Sequence, residues 1–140
     1  MCIRDRLIGV VDTKNKSGEM LAVGDGVFCI DGKIVEYEQD NKPDYFGYHL
    51  DKDFEEWYAQ QIQRISIEQF EDLSICTDGL FTFSKFDNQD YSTVKNVSDF
   101  LLKDKTGFEN QNMLKKKVFE IEKKYGLKPT DDLGIIRIVF

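Results

Sequence analysis

The chain is poor in histidine, cysteine and positive charge. His49 is the only histidine among 140 residues, so a histidine-centred triad or a multi-histidine metal site cannot be assembled from it. The three cysteines, Cys2, Cys29 and Cys76, are widely spaced and form no CxxC pair. They read as reduced thiols used as small hydrophobes, which implies a cytoplasmic protein without a structural zinc site. The net charge is −7 at pH 7. That excludes the basic face by which proteins displace counterions from nucleic acid, and it disfavours docking on an anionic membrane. No apolar run approaches the roughly 18 residues of a membrane span, and no continuous apolar leader segment stands near the N-terminus.

What the chain does contain is enough apolar material for one globular domain. Hydrophobic residues make up 41% and aromatics 13%, which supports a packed core at this length. Residues 1–6, MCIRDR, fit nothing that follows. Their reverse translation resembles the end of a transposase adapter used in sequencing libraries. They are expected to be a scar outside the fold, with the natural protein continuing upstream and a partial domain over residues 7–140.

Apolar runs and turn chemistry give the element order. Residues 7–12 (LIGVVD), the run from Glu19 to Gly24, and residues 27–30 read as strands, with a polar turn at residues 13–18. Asp31-Gly32 is a strong hairpin signal, with the return strand in residues 33–37. Residues 40–53 read as a loop. Residues 54–63 are ambiguous between helix and strand, and a strand is favoured from Gln61 to Ile67. A turn at 68–72 precedes a strand at 73–77. Residues 80–126 look helical, with one helix at 94–102 and a better one at 112–125. In the latter, Leu114, Val118, Ile121 and Tyr125 form an apolar stripe. Asn110 or Asn112 would cap its start and Gly126 its end. Pro129 stops any continuation, and residues 133–140 (LGIIRIVF) read as a final buried strand. Strands, then helices, then a closing strand predict an α+β fold with mainly antiparallel strands.

Acidic residues mark the ends of three of these strands. Asp25 follows one in VGDG, Asp78 follows another in CTDG, and Asp131-Asp132 precede the last in PTDDLG. Each alone reads as a turn or a solvated strand end. Together they suit a hard divalent cation, which takes oxygen ligands from a few rigid carboxylates and retains waters. A following glycine lets backbone approach such an ion closely.

Three stretches, LAVGDGVFCIDGKIVEY, LSICTDGLF and TDDLGIIRIVF, carry a family resemblance. In this order they resemble the C-terminal half of the metal-dependent PP2C-type protein serine/threonine phosphatases, of the bacterial PP2C-like kind. The resemblance covers residues 19–140. It implies a β-sandwich flanked by helices, two or three Mn²⁺ or Mg²⁺ ions, and a phosphoprotein substrate hydrolysed by metal-activated water without a phosphoenzyme. It also implies metal ligation by Asp78 and Asp131, a supporting role for Asp132, a weaker third site involving Asp25, and Gly79 as the glycine beside the ligand. The family's Asp-Gly-x-x-Gly motif and its phosphate-binding arginine have no counterpart here, and the usual Gly-Asp-Ser-Arg turn is GDGV. The resemblance therefore implies half an active site, with little activity alone. The alternative is a catalytically dead PP2C-like module that binds a partner.

Other residues have structural readings. His49 is expected in a partly exposed loop without function, Cys76 and the Trp57-Tyr58 pair in a core, and Lys115-Lys116-Lys117 on a solvated helix face.

Overall fold

The computed structural model describes residues 6–37, 46–60, 64–94 and 96–140. Strand β1 (Arg6–Asp12) pairs with β2 (Ser17–Val23), and β2 with β5 (Arg64–Ile67). Arg6, grouped by sequence with the scar, is the first residue of β1, opposite Val23. Residues 1–5 lie outside the described ones. The β1–β2 turn is fixed by Asp12, whose carboxylate accepts from the Lys14 and Asn15 backbone N–H groups.

A second sheet holds β3 (Gly26–Ile30), β4 (Lys33–Tyr37), β6 (Asp72–Cys76) and β9 (Ile135–Val139), in the order β4-β3-β6-β9. The Asp31-Gly32 turn takes φ of 49° and 81°, the left-handed pair that a two-residue hairpin requires. Asp31 also accepts from the N–H groups of Glu71 and Asp72, so the hairpin is bonded to the entry of β6. A short ribbon joins β7 (Phe83–Lys85) to β8 (Leu127–Pro129). All strand pairings among the described residues are antiparallel.

Strand alternation distributes the side chains into layers. Phe28 and Leu73 of the four-stranded sheet meet Met20, Ala22 and Ile67 of the other sheet in a core between the two. On the opposite face, Val27, Cys29 and Cys76 pack against Leu101, Leu102 and Ile121. These last come from helices α2 (Val97–Leu102) and α3 (Met113–Tyr125). The far face of the three-stranded sheet is partly covered by Trp57 of α1 (Phe54–Ala59), against Leu21 and Val23. The fold is α+β and mainly antiparallel.

Local chemistry accounts for the helix ends. Asp53 caps α1 through Glu56 N–H, and Asn96 caps α2 through Asp99 N–H. Asn112 precedes α3 without a side-chain cap bond, while Asn110 Oδ1 accepts from Asn112 N–H. Gly126 ends α3 at φ 63°, a left-handed stop.

Several expectations are corrected. Residues 82–96, where described, and 103–112 are not helical. A 3-10 turn (Asp78–Phe81) and β7 come first, and Asp87 then accepts from Gln89 N–H and the Tyr91 hydroxyl, bonds that compete with helix. The ambiguous stretch begins as helix α1. Lys117 is not solvated: it is 5% exposed, because Asp104 and the Phe100 carbonyl and ring supply a site for its ammonium. Strand β9 is an edge strand rather than a buried one, and Ile136 is 65% exposed.

Candidate functional site

The three acidic strand ends arrive at one end of one sheet. Strand β6 runs antiparallel to both its neighbours, with Val27 and Ile135 both opposite Cys76. The start of β3, the exit of β6 and the start of β9 therefore lie side by side. Asp25 stands one residue before β3, Asp78 two after β6, and Asp131-Asp132 in the approach to β9. Asp78, Asp131 and Asp132 are exposed and Asp25 is half-buried.

Threonines stitch this end together. Thr77 N–H donates to the Gly134 carbonyl at 3.0 Å, and Gly134 N–H donates to Thr77 Oγ1 at 3.0 Å. Thr77 Oγ1 donates to the Asp132 carbonyl at 2.8 Å. Thr82 Oγ1 donates to the Gly79 carbonyl and accepts from the N–H groups of Thr130 and Asp131. Asp131 Oδ1 accepts from Asp132 N–H at 2.8 Å. The 78–81 turn and the 130–134 approach thus form one bonded unit.

Gly79 lies inside that unit. A Cβ there would stand 2.4 Å from the Asp132 carbonyl oxygen, so the contact of the two backbones requires glycine. Sequence reasoning singled out Asp78, Gly79 and Asp131 and missed Thr77, Thr82 and Thr130. The threonine beside each acidic turn, in CTDG and PTDD, was the available signal.

Cys76 ends β6 with its thiol in the core. Burial first, then the proximity of Cys29 and of the Asp78 charge, push the thiol up to about 12. It is therefore an inert packing group rather than a nucleophile.

The site is open in shape and incomplete in ligands. A pocket of about 460 Å³ beside it is walled by Leu7, Asp25, Ile75, Thr77 and Ile136 among others, and the Asp78 and Asp131 side chains lie outside those walls. A larger pocket of about 720 Å³ lies elsewhere, on the far face of the three-stranded sheet. Among the described residues, no group of three or more His, Cys, Asp or Glu side chains is placed to hold a metal ion. Asp131 itself stands in the loop before β9, not on that strand. The donors suit a hard divalent cation in kind and fall short of one in number.

The remaining expectations have structural outcomes. His49 lies half-buried against the Trp57 ring, with centroids 5.4 Å apart, and Trp57 is buried as expected. Among the described residues, no helix is long and apolar enough to cross a membrane. Comparisons with protein-family models, with curated proteins and with solved structures found no match to the chain.

Proposed function

We propose that this chain contributes part of the metal centre of a PP2C-type phosphoprotein phosphatase, within a helix-flanked β-sandwich of that kind. One observation carries the reading: Asp25, Asp78 and the approach that holds Asp131, far apart in sequence, come to one end of one sheet. Asp78 and Asp131 would hold Mn²⁺ or Mg²⁺, with Asp25 nearby and Asp132 in support. Such an ion, when bound, lowers the pKa of water and neutralises charge on a phosphoryl group. The chain's own residues position these carboxylates: the Thr77 and Thr82 bonds fix the Asp78 turn against the Asp131 approach. Because the ligand set is short, the chain alone binds metal weakly and hydrolyses phosphoserine or phosphothreonine poorly.

The test is Mn²⁺ binding, followed by the electron paramagnetic resonance of the free ion. Wild type is expected to show a weak site, and Asp78→Asn or Asp131→Asn to weaken it by about tenfold or more, the scale of a lost charged ligand. Gly134→Ala should leave it unchanged. Equal binding in wild type and both asparagine variants would end the metal reading.

Among the described residues no three carboxylates converge, which favours a second reading, a PP2C-like module that binds a phosphoprotein without turning it over. In that case a phosphothreonine peptide would bind independently of Mn²⁺ and remain intact.

A further inference from the structure

Helix α3 has two unlike faces. Val118, Ile121 and Tyr125 pack on the core. The opposite face centres on Phe119, which is 59% exposed. Lys115 and Lys123 lie one turn to either side of Phe119, and Lys116 lies beside them, all exposed. At 3.6 residues per turn these four side chains share a sector of about 100°, and the sector runs about 12 Å along the axis.

Pairing sets these three lysines apart from the others of the helix. Lys117 holds Asp104 at 2.8 Å, and Lys124 holds Glu120 at 3.3 Å. Glu122, the remaining carboxylate of α3, is held by Lys128 at 3.1 Å. Among the described residues, no carboxylate pairs with Lys115, Lys116 or Lys123, and Lys123 Nζ stands 5.6 Å from the centroid of the Phe119 ring. The helix carries five lysines and two glutamates, a balance of +3, in a chain whose total is −7. A single exposed ring or lysine is ordinary on a surface. Here the ring sits at the centre of a face whose cations are all without counter-charge, on a protein with acid in excess.

We infer that this face of α3 docks a short acidic segment of a partner protein. Its carboxylates would meet Lys115, Lys116 and Lys123, and an apolar side chain would cover the Phe119 ring beside the lysine stems. Charge complementarity sets the chemistry of the occupant. The 12 Å sector sets its length, about four residues of extended chain or two turns of helix. Screening confines the attraction to about 8 Å at physiological salt, so a short segment feels the lysines and not the distant acidic surface. A nucleic acid extends beyond the sector and meets that acidic surface. A membrane surface calls for a broad apolar helix face, and Phe119 is a single ring. Docking here requires no metal ion.

The experiment is fluorescence anisotropy of a labelled synthetic peptide, about eight residues long with glutamates flanking a central leucine, titrated with the full chain. The same peptide with glutamines, duplex DNA and phosphatidylserine vesicles are measured alongside. The expected result is saturable binding of the glutamate peptide, about tenfold or more tighter than the glutamine peptide, that weakens as salt rises from about 50 to 300 mM. Lys115→Gln with Lys123→Gln should weaken it by about tenfold or more, and Phe119→Ser by several-fold. Lys85→Gln, at an exposed lysine of β7, should leave it unchanged. Circular dichroism checks that the variants fold, and Lys116→Gln with Lys123→Gln replaces the first pair if that variant does not. Absent binding of the glutamate peptide overturns the inference, as does equal binding of the two peptides. So does binding that survives the lysine and Phe119 variants, or DNA or vesicles bound through the same lysines more tightly than the peptide.

Discussion

Arg137 of β9 grips Asp72 of β6 through two hydrogen bonds, Nε donating to Oδ1 at 2.9 Å and Nη2 to Oδ2 at 2.6 Å. The arginine side chain is fully buried. Its Nη1 donates to the carbonyls of Leu101 and Asp104, each at 2.9 Å. One side chain therefore bonds the sheet to the end of α2 and to the loop after it, using donors that a buried guanidinium must place.

Removing Arg137 leaves the buried Asp72 carboxylate with only the more distant Lys105 ammonium, 3.9 Å away, to offset its charge. Arg137→Met is expected to destabilise the fold by about 3–5 kcal/mol. The double variant Asp72→Leu with Arg137→Met should recover part of that loss, since no charge is then stranded. Urea unfolding measures both. A single variant within about 1 kcal/mol of wild type would show that the pair is not needed once water reaches the site.

Acid should act through Asp104. The Lys117 ammonium, 2.8 Å away, and Thr106 hold its carboxyl well below its ordinary value of 3.8. A carboxylate depressed in this way stabilises the folded state above that ordinary value. The contribution is lost as pH falls toward the lower folded value. Asp104→Asn should be less stable than wild type near pH 6, and the gap should narrow as pH drops below about 4. Urea titrations at a series of pH values test this. A gap that stays constant would place the effect in packing rather than in the charge.

Gly79→Ala tests the rigidity of the acidic turn. Its Cβ would meet backbone, 2.4 Å from the Asp132 oxygen and 3.2 Å from the Leu133 Cα, and neither atom can rotate away. A loss of about 1–3 kcal/mol is expected, as for overpacking elsewhere in proteins. Gly134→Ala is the control, because its Cβ would meet only Thr77 Cγ2, at 3.4 Å. Similar melting temperatures for the two variants would mean that the 130–134 approach yields freely.

Local signals were legible in the sequence. Asp31-Gly32 specifies its hairpin by left-handed turn chemistry, and Gly126 ends α3 for the same reason. The α3 stripe holds for Val118, Ile121 and Tyr125, which pack on the core. Distant pairing was not legible. Nothing in the sequence near Lys117 reveals that Asp104 and Phe100 fold over it and bury its charge. The acidic turns were visible one by one, but their common location depends on the β3-β6-β9 order.

That strand order also carries a timetable. β3 pairs with β6 across more than forty residues of chain, and β9 reaches β6 across about sixty, so both closures pay loop entropy before any contact rewards them. During synthesis, Asp78 leaves the ribosome with its partner strand still unmade. The β6–β9 pairing beside the acidic turns cannot form until residues 135–139 have emerged. The arrangement of Asp25, Asp78 and Asp131 is thus a late product of folding.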